Sequence, residues 1–229
     1  MVPRVVVHNE MSLDARMDGL DVDMGRFYAL AGTWREDCTL VGSETVLSAM
    51  PDIGRVEPAD APGGDGPAGQ QTGEASSAAP LLAVVDSRGR LPGLARLREQ
   101  PYWRDVVTLC SESTPQAHLD RLKTDGVECI LAGATRVDLR RALESLADRH
   151  RVRLVRVDAG GSLVGALLRE GLVDEVSVVV EPRLVGGNSH RWLVIAPDAE
   201  PGDVVELSLR EIERFDDGAL WLRYDVAGR

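Results

Sequence analysis

Lysine is almost missing from this chain: Lys123 is the only one in 229 residues, so nearly all positive charge is arginine. Acidic residues outnumber basic ones, 37 to 26, for a net charge of −11. Releasing counterions from a phosphate backbone needs a dense basic face, so a general nucleic-acid scaffold is excluded, although arginine and backbone N–H groups can still hold small anions locally. The arginine, alanine, glycine and aspartate bias reads as a GC-rich genome or a salt-adapted surface, a matter of solubility rather than mechanism. Cysteine is scarce too. Cys38, Cys110 and Cys129 are far apart and form no CxxC or Cys/His pair at metal spacing, which leaves them as small buried hydrophobes of a reducing compartment. The histidines have no partner at metal spacing, and no GxSxG elbow marks a serine hydrolase. There is no charged n-region followed by an apolar h-region, and no apolar run of membrane-spanning length. A soluble cytoplasmic protein with no membrane or nucleic-acid partner is the expectation.

What is present is a chain with 44% hydrophobic residues, enough for a substantial core and read as one domain. Its most informative stretch runs from Val152 to Pro182. A β-branched run ends at Gly160-Gly161, a helical pattern with Leu163, Ala166, Leu167 and Leu168 follows, and Gly171 stops it before Val176 to Val180. Paired glycines allow close backbone approach, and the first turn of the following helix favours an anion such as a pyrophosphate. A second glycine turn, Gly42-Ser43, follows the strand Cys38 to Val41, with Ser43 placed to cap a helix over Glu44 to Ala49.

Other elements alternate around these. Val5-Val6-Val7 centres a first strand and Met24 to Trp34 reads as a helix. Leu81 to Val85, Asp105 to Leu109 and Val127 to Leu131 read as strands, with helices over Gln116 to Thr124 and from Val137-Asp138-Leu139 to about His150. Residues 51–80 collapse into Pro, Gly, Ala, Ser, Gln and Asp, too little apolar surface to offset ordering entropy, and read as a flexible insertion. Val204 to Arg214 and Ala219 to Val226 alternate apolar and polar residues around Asp216-Asp217-Gly218, the pattern of a β-hairpin. The expected fold class is a three-layer α/β/α domain over residues 1–229, its sheet mostly parallel with a C-terminal antiparallel hairpin.

Several local patterns fall in one order: Asn9-Glu10-Met11-Ser12-Leu13-Asp14 after the first strand, Val41 to Leu47 after the second, Val84 to Pro92 after the third, then Val137-Asp138-Leu139, Asp158 to Leu163 and Gly171 to Glu175. Together they resemble the reductase domain of riboflavin biosynthesis, which has a dihydrofolate-reductase-like fold. That resemblance implies an NADPH-dependent reductase that converts a ribosylamino-pyrimidine 5′-phosphate to its ribitylamino form, commonly as a homodimer. It places Gly42, Ser43, Thr45, Ser87, Gly160, Gly161, Ser162 and Leu163 against the cofactor and Asn9, Ser12 and Asp158 against the substrate, with Asp14 as the catalytic carboxylate. His8 could face the pocket, but a satisfied core histidine is the commoner arrangement. The chain departs from the family at Asp158-Ala159, where a glutamate and a glycine are usual, and at Ala49-Met50, where acids are usual; Arg55 could stand in for an arginine that contacts the substrate phosphate, but an exposed loop arginine is the commoner arrangement. Two further readings stay open: a related reductase of another pterin or pyrimidine, and a non-catalytic ligand-binding module on the same fold.

Overall fold

The computed structural model describes residues 1–51, 53, 79–188, 191–196 and 204–228; most of the 51–80 insertion, Arg55 included, lies outside these. Among the described residues nine strands form one sheet. These are β1 (Arg4–Ser12), β2 (Cys38–Gly42), β3 (Leu81–Val85), β4 (Asp105–Cys110), β5 (Glu128–Leu131), β6 (Leu154–Val157), β7 (Glu175–Glu181), β8 (Leu207–Arg214) and β9 (Leu220–Val226). Their order is β5-β4-β3-β2-β6-β1-β7-β9-β8. All pairs from β5 to β7 are parallel, and β7-β9 and β8-β9 are antiparallel. The helices are α1 (Met24–Ala31), α2 (Ser43–Ala49), α3 (Ala95–Arg98), α4 (Gln116–Thr124), α5 (Leu139–His150) and α6 (Gly161–Arg169).

Side-chain alternation divides the core between the two faces of the sheet. Val5 and Val7 pack with Leu143 and Leu146 of α5 and Val164 and Leu167 of α6. On the opposite face Val84 and Val106 pack with Val46 of α2, Leu97 of α3 and Leu122 of α4, while Val6 packs with Trp34, Val179 and Trp221. This is the expected α/β/α sandwich with its C-terminal hairpin. Two crossovers diverge from its middle: α1 carries the chain from β1 to β2, and α6, on the other face, carries it from β6 across β1 to β7. Such a reversal opens a crevice at the carboxyl ends of the strands, where ligands of open α/β sheets bind.

Three local expectations change. β1 continues through Ser12 because β7 offers it a ladder from Val6↔Glu175 to Ser12↔Glu181, so Asn9 to Ser12 belong to the strand rather than to a loop after it. α1 stops at Ala31, capped by Gly32, whose N–H donates to the Tyr28 carbonyl, and Trp34 turns into the core instead of extending the helix. Ser43 does not cap α2: Gly42 is the N-cap and no side chain caps it, while the Ser43 hydroxyl accepts from Arg90 Nη2 at 2.8 Å.

Candidate active site

Both glycine turns reach the carboxyl edge, and they meet there. A Cβ placed on Gly42 would lie 3.9 Å from Leu163 Cδ2, so the β2-α2 turn rests against the first turn of α6. The paired glycines nevertheless differ in role. Gly160, the N-cap of α6, is exposed at φ −67° and an added Cβ would meet nothing within 4 Å. At Gly161 the same atom would stand 2.1 Å from the Trp192 carbonyl, and at Gly165, one turn on, 2.2 Å from the Ile195 carbonyl. Residues 191–196 therefore form a strap along α6, fastened by the Ile195 N–H to the Gly161 carbonyl at 2.9 Å. Close approach at Gly161 serves the chain's own backbone; the open space lies over Gly160. Ser162 is exposed, and Thr45 and Leu163 are half-buried.

Ser87, at the end of β3, anchors a neighbouring loop: its hydroxyl accepts from the Val137 N–H at 3.1 Å, and its carbonyl accepts from the Thr114 hydroxyl at 3.0 Å. None of these contacts reaches the other predicted residues.

On the substrate side, Asn9 points toward the α6 face and donates from Nδ2 to the Ala159 carbonyl at 3.2 Å, tying β1 to the glycine turn. Ser12 is fully buried; its hydroxyl donates to Asp14 Oδ1 at 2.6 Å and accepts from the Arg16 N–H at 3.0 Å. Asp14 also accepts from the backbone N–H groups of Val185 at 3.0 Å and Gly186 at 2.8 Å. The Ser12 bond, then these two, hold its carboxyl at about 2. A group so acidic and so engaged is a carboxylate throughout the neutral range. The geometry makes it the staple between the β1 loop and the Gly186 loop.

Asp158 sits at the end of β6 beside Arg156, whose Nη1 lies 3.4 Å from its Oδ2. Burial pushes this carboxyl up and Arg156 draws it back down. Arg156 is itself buried, paired with Glu36 at 2.7 Å. The phenol of Tyr28, on α1, is raised by burial and then by the charge of Asp158, so α1 and the β6 end face one electrostatic environment.

His8 is a satisfied core residue. Its Nδ1 lies 2.9 Å from Ser177 Oγ and its Nε2 3.2 Å from the Phe27 carbonyl. Trp221 Nε1 donates to the same Ser177 oxygen, which leaves the Ser177 proton for His8 Nδ1 and fixes the Nε2–H tautomer. Burial lowers this imidazole to about 4, so it is neutral. Glu10, which is not among the residues expected at the site, is buried on the same face of β1. Period-two alternation from His8 was the available signal, since it places His8, Glu10 and Ser12 on one side.

Fold and site together define a three-layer α/β/α protein whose glycine turns and carboxylates gather at the carboxyl edge of a mostly parallel sheet. The chain belongs to the RibD C-terminal domain family, whose model matches residues 3–221. It is 32% identical over 238 aligned positions to the 2,5-diamino-6-ribosylamino-4(3H)-pyrimidinone 5′-phosphate reductase of Methanothermobacter thermautotrophicus, covering all of both chains. It is 29% identical to the riboflavin biosynthesis protein RibD of Chlamydia muridarum over 75% of this chain and 41% of that one. Among solved structures, Acinetobacter baumannii RibD matches with a TM-score of 0.70 at 22% identity, over 99% of this chain and 58% of that one. A pyrimidine reductase-like protein of Corynebacterium diphtheriae matches with a TM-score of 0.74 at 17% identity, over 99% and 93%. The chain thus spans the full length of the archaeal reductase but about half of the two RibD proteins.

Proposed function

We propose that the protein is an NADPH-dependent reductase of 2,5-diamino-6-ribosylamino-4(3H)-pyrimidinone 5′-phosphate, or its deaminated analogue, and yields the ribitylamino product of riboflavin biosynthesis. The observation that carries this reading is the end-to-end match to the archaeal reductase of that name. The meeting of the Gly42 and Leu163 turns supports it. NADPH, when bound, supplies the hydride that reduces the sugar C1′. Its pyrophosphate fits the first turn of α6: Gly160 leaves room for it, the N–H groups of Gly161 and Ser162 precede the first bond of that turn, from the Leu163 N–H to the Gly160 carbonyl, and the helix dipole favours an anion. Gly42, Ser43 and Thr45 approach from the neighbouring turn.

On the substrate side, Asn9 fixes the β6-α6 turn against β1, Asp14 holds the Gly186 loop, and Asp158 offers a carboxylate to the substrate. Their joint effect is positioning, which brings donor and acceptor carbons together. Three free thiols accord with a cytoplasmic setting. A homodimer accords with β8, a sheet-edge strand exposed throughout, where Leu209 is 56% and Ile212 58% accessible. Among the described residues no helix is long and apolar enough to cross a membrane.

A second reading, a relative with the same cofactor and a changed pyrimidine or pterin pocket, is favoured by the Asp158-Ala159 and Ala49-Met50 departures. Titration with NADPH and NADH, followed by nucleotide oxidation with the ribosylamino-pyrimidine phosphate and with dihydrofolate, separates the two. The proposal expects NADPH binding and turnover of the first substrate. Binding without turnover of either supports the changed pocket, and no binding of either nucleotide sinks the reductase reading.

A further inference from the structure

Glu10 on β1 stands opposite Val179 on β7, and Glu181 stands opposite Ser12, so the two glutamates are diagonal neighbours on one face of the sheet. They are 5% and 3% exposed. Among the described residues no N–H or O–H donates to either Glu10 oxygen. The group within hydrogen-bonding reach is the Glu181 carboxyl. Two buried carboxylates side by side cannot both hold a negative charge cheaply, whereas one proton between them supplies the missing donor.

The surrounding charges tie this pair to two other elements. Arg26 of α1 donates to Glu181 and, at 2.5 Å, to Asp217 in the β8-β9 turn. Asp23, the N-cap of α1, adds negative potential at Glu10, and Arg183 Nη1 lies 4.0 Å from the second Glu181 oxygen. His8, on the same face, is neutral. Both Glu10 oxygens are out of reach of solvent, so the pair acts on the fold and not on a ligand. We propose that Glu10 and Glu181 form a proton-sharing clasp between β1 and β7, beside the Arg26 bridge to the β8-β9 turn, tight while one proton lies between them and loosened when it leaves.

Burial and then the Glu181 charge raise Glu10 from 4.5 to about 7. The folded chain therefore keeps a proton that the unfolded chain releases. The clasp's stabilisation is complete below 4.5, falls as pH rises to about 7, and is flat beyond. His8, lowered from 6.5 to about 4, gives the opposite slope across that range, so the wild type must be compared with a variant that leaves His8 in place. Glu10→Gln is that variant: its amide donates to Glu181 without titrating.

Thermal unfolding of the full chain should give equal Tm values for the two proteins near pH ~5 and a variant higher by on the order of 5 °C near pH ~8.5. A variant less stable at every pH, or a difference that does not change with pH, overturns the clasp. Should the variant fail to fold, ¹³C NMR titration of the wild-type Glu10 carboxyl decides: a midpoint near neutrality supports the proposal, and one in the ordinary glutamate range overturns it. Neither readout depends on the reductase reading.

Discussion

The turn into α6 and the loop leaving β1 lie at the same edge of the sheet and are built in opposite ways. The first is made of backbone: Gly160 keeps a space open, while Gly161 and Gly165 let a strap lie against the helix. The second, together with the end of β1 that leads into it, is made of carboxyl groups in contrasting states. Asp14, bonded by one hydroxyl and two backbone N–H groups, is held at about 2, whereas Glu10, four residues earlier and, among the described residues, without a donor, is pushed to about 7. Substitutions in the turn should act through volume, and those in the loop through charge and hydrogen bonding.

The largest effect is expected at the covered glycine. Gly161→Asp places a side chain where the Trp192 carbonyl already lies and should lower stability by about 3 kcal/mol or more, with NADPH binding lost alongside. Chemical denaturation checks this, and wild-type stability would show that the strap yields. In the loop, Asp14→Asn keeps the shape but cannot accept from Ser12, Val185 and Gly186 together. We expect KM for the pyrimidine phosphate to rise on the order of tenfold or more with the circular dichroism spectrum unchanged, because a displaced loop costs positioning. The same variant sharpens the electrostatic half of the contrast. A depressed carboxyl stabilises the fold above its ordinary 3.8 and loses that contribution as pH falls through about 2, so D14N should lose this acid limb in a Tm-against-pH profile.

Ser87→Ala removes the acceptor of the Val137 N–H and should cost about 1 kcal/mol in denaturation. If Ser87 also touches the cofactor, NADPH affinity falls with it; affinity within about twofold would make it a loop anchor alone. The smallest effect belongs to Gly160→Ala, whose φ suits any residue and whose methyl group meets no neighbour: stability within about 0.5 kcal/mol of wild type, with NADPH binding weakened. Unweakened binding would take the pyrophosphate away from this turn.

Much of this architecture was legible in the sequence because hydrophobic period and glycine punctuation are local. Leu81–Val85 and Gln116–Thr124 form with the expected bounds, and the hairpin turns where Asp216-Asp217-Gly218 predicts. What was hidden depends on partners distant in the chain. The polar end of β1 is a strand only because β7 pairs with it, and the Gly161 packing appears only when residues 191–196 return to α6. The protonation states follow the same logic: Asp14 and Glu10 are ordinary acids in the sequence, and what sets them apart is a Gly186 loop and a Glu181 side chain roughly 170 positions on.

The central claim is that this edge of the sheet transfers a hydride from NADPH to a sugar carbon. It is tested most directly by incubating the protein with the ribosylamino-pyrimidine 5′-phosphate and NADPH deuterated at the transferred position, then locating the label by mass spectrometry and NMR. The account predicts a ribitylamino product with one deuterium at C1′. Nucleotide binding with no labelled product from this substrate would contradict it.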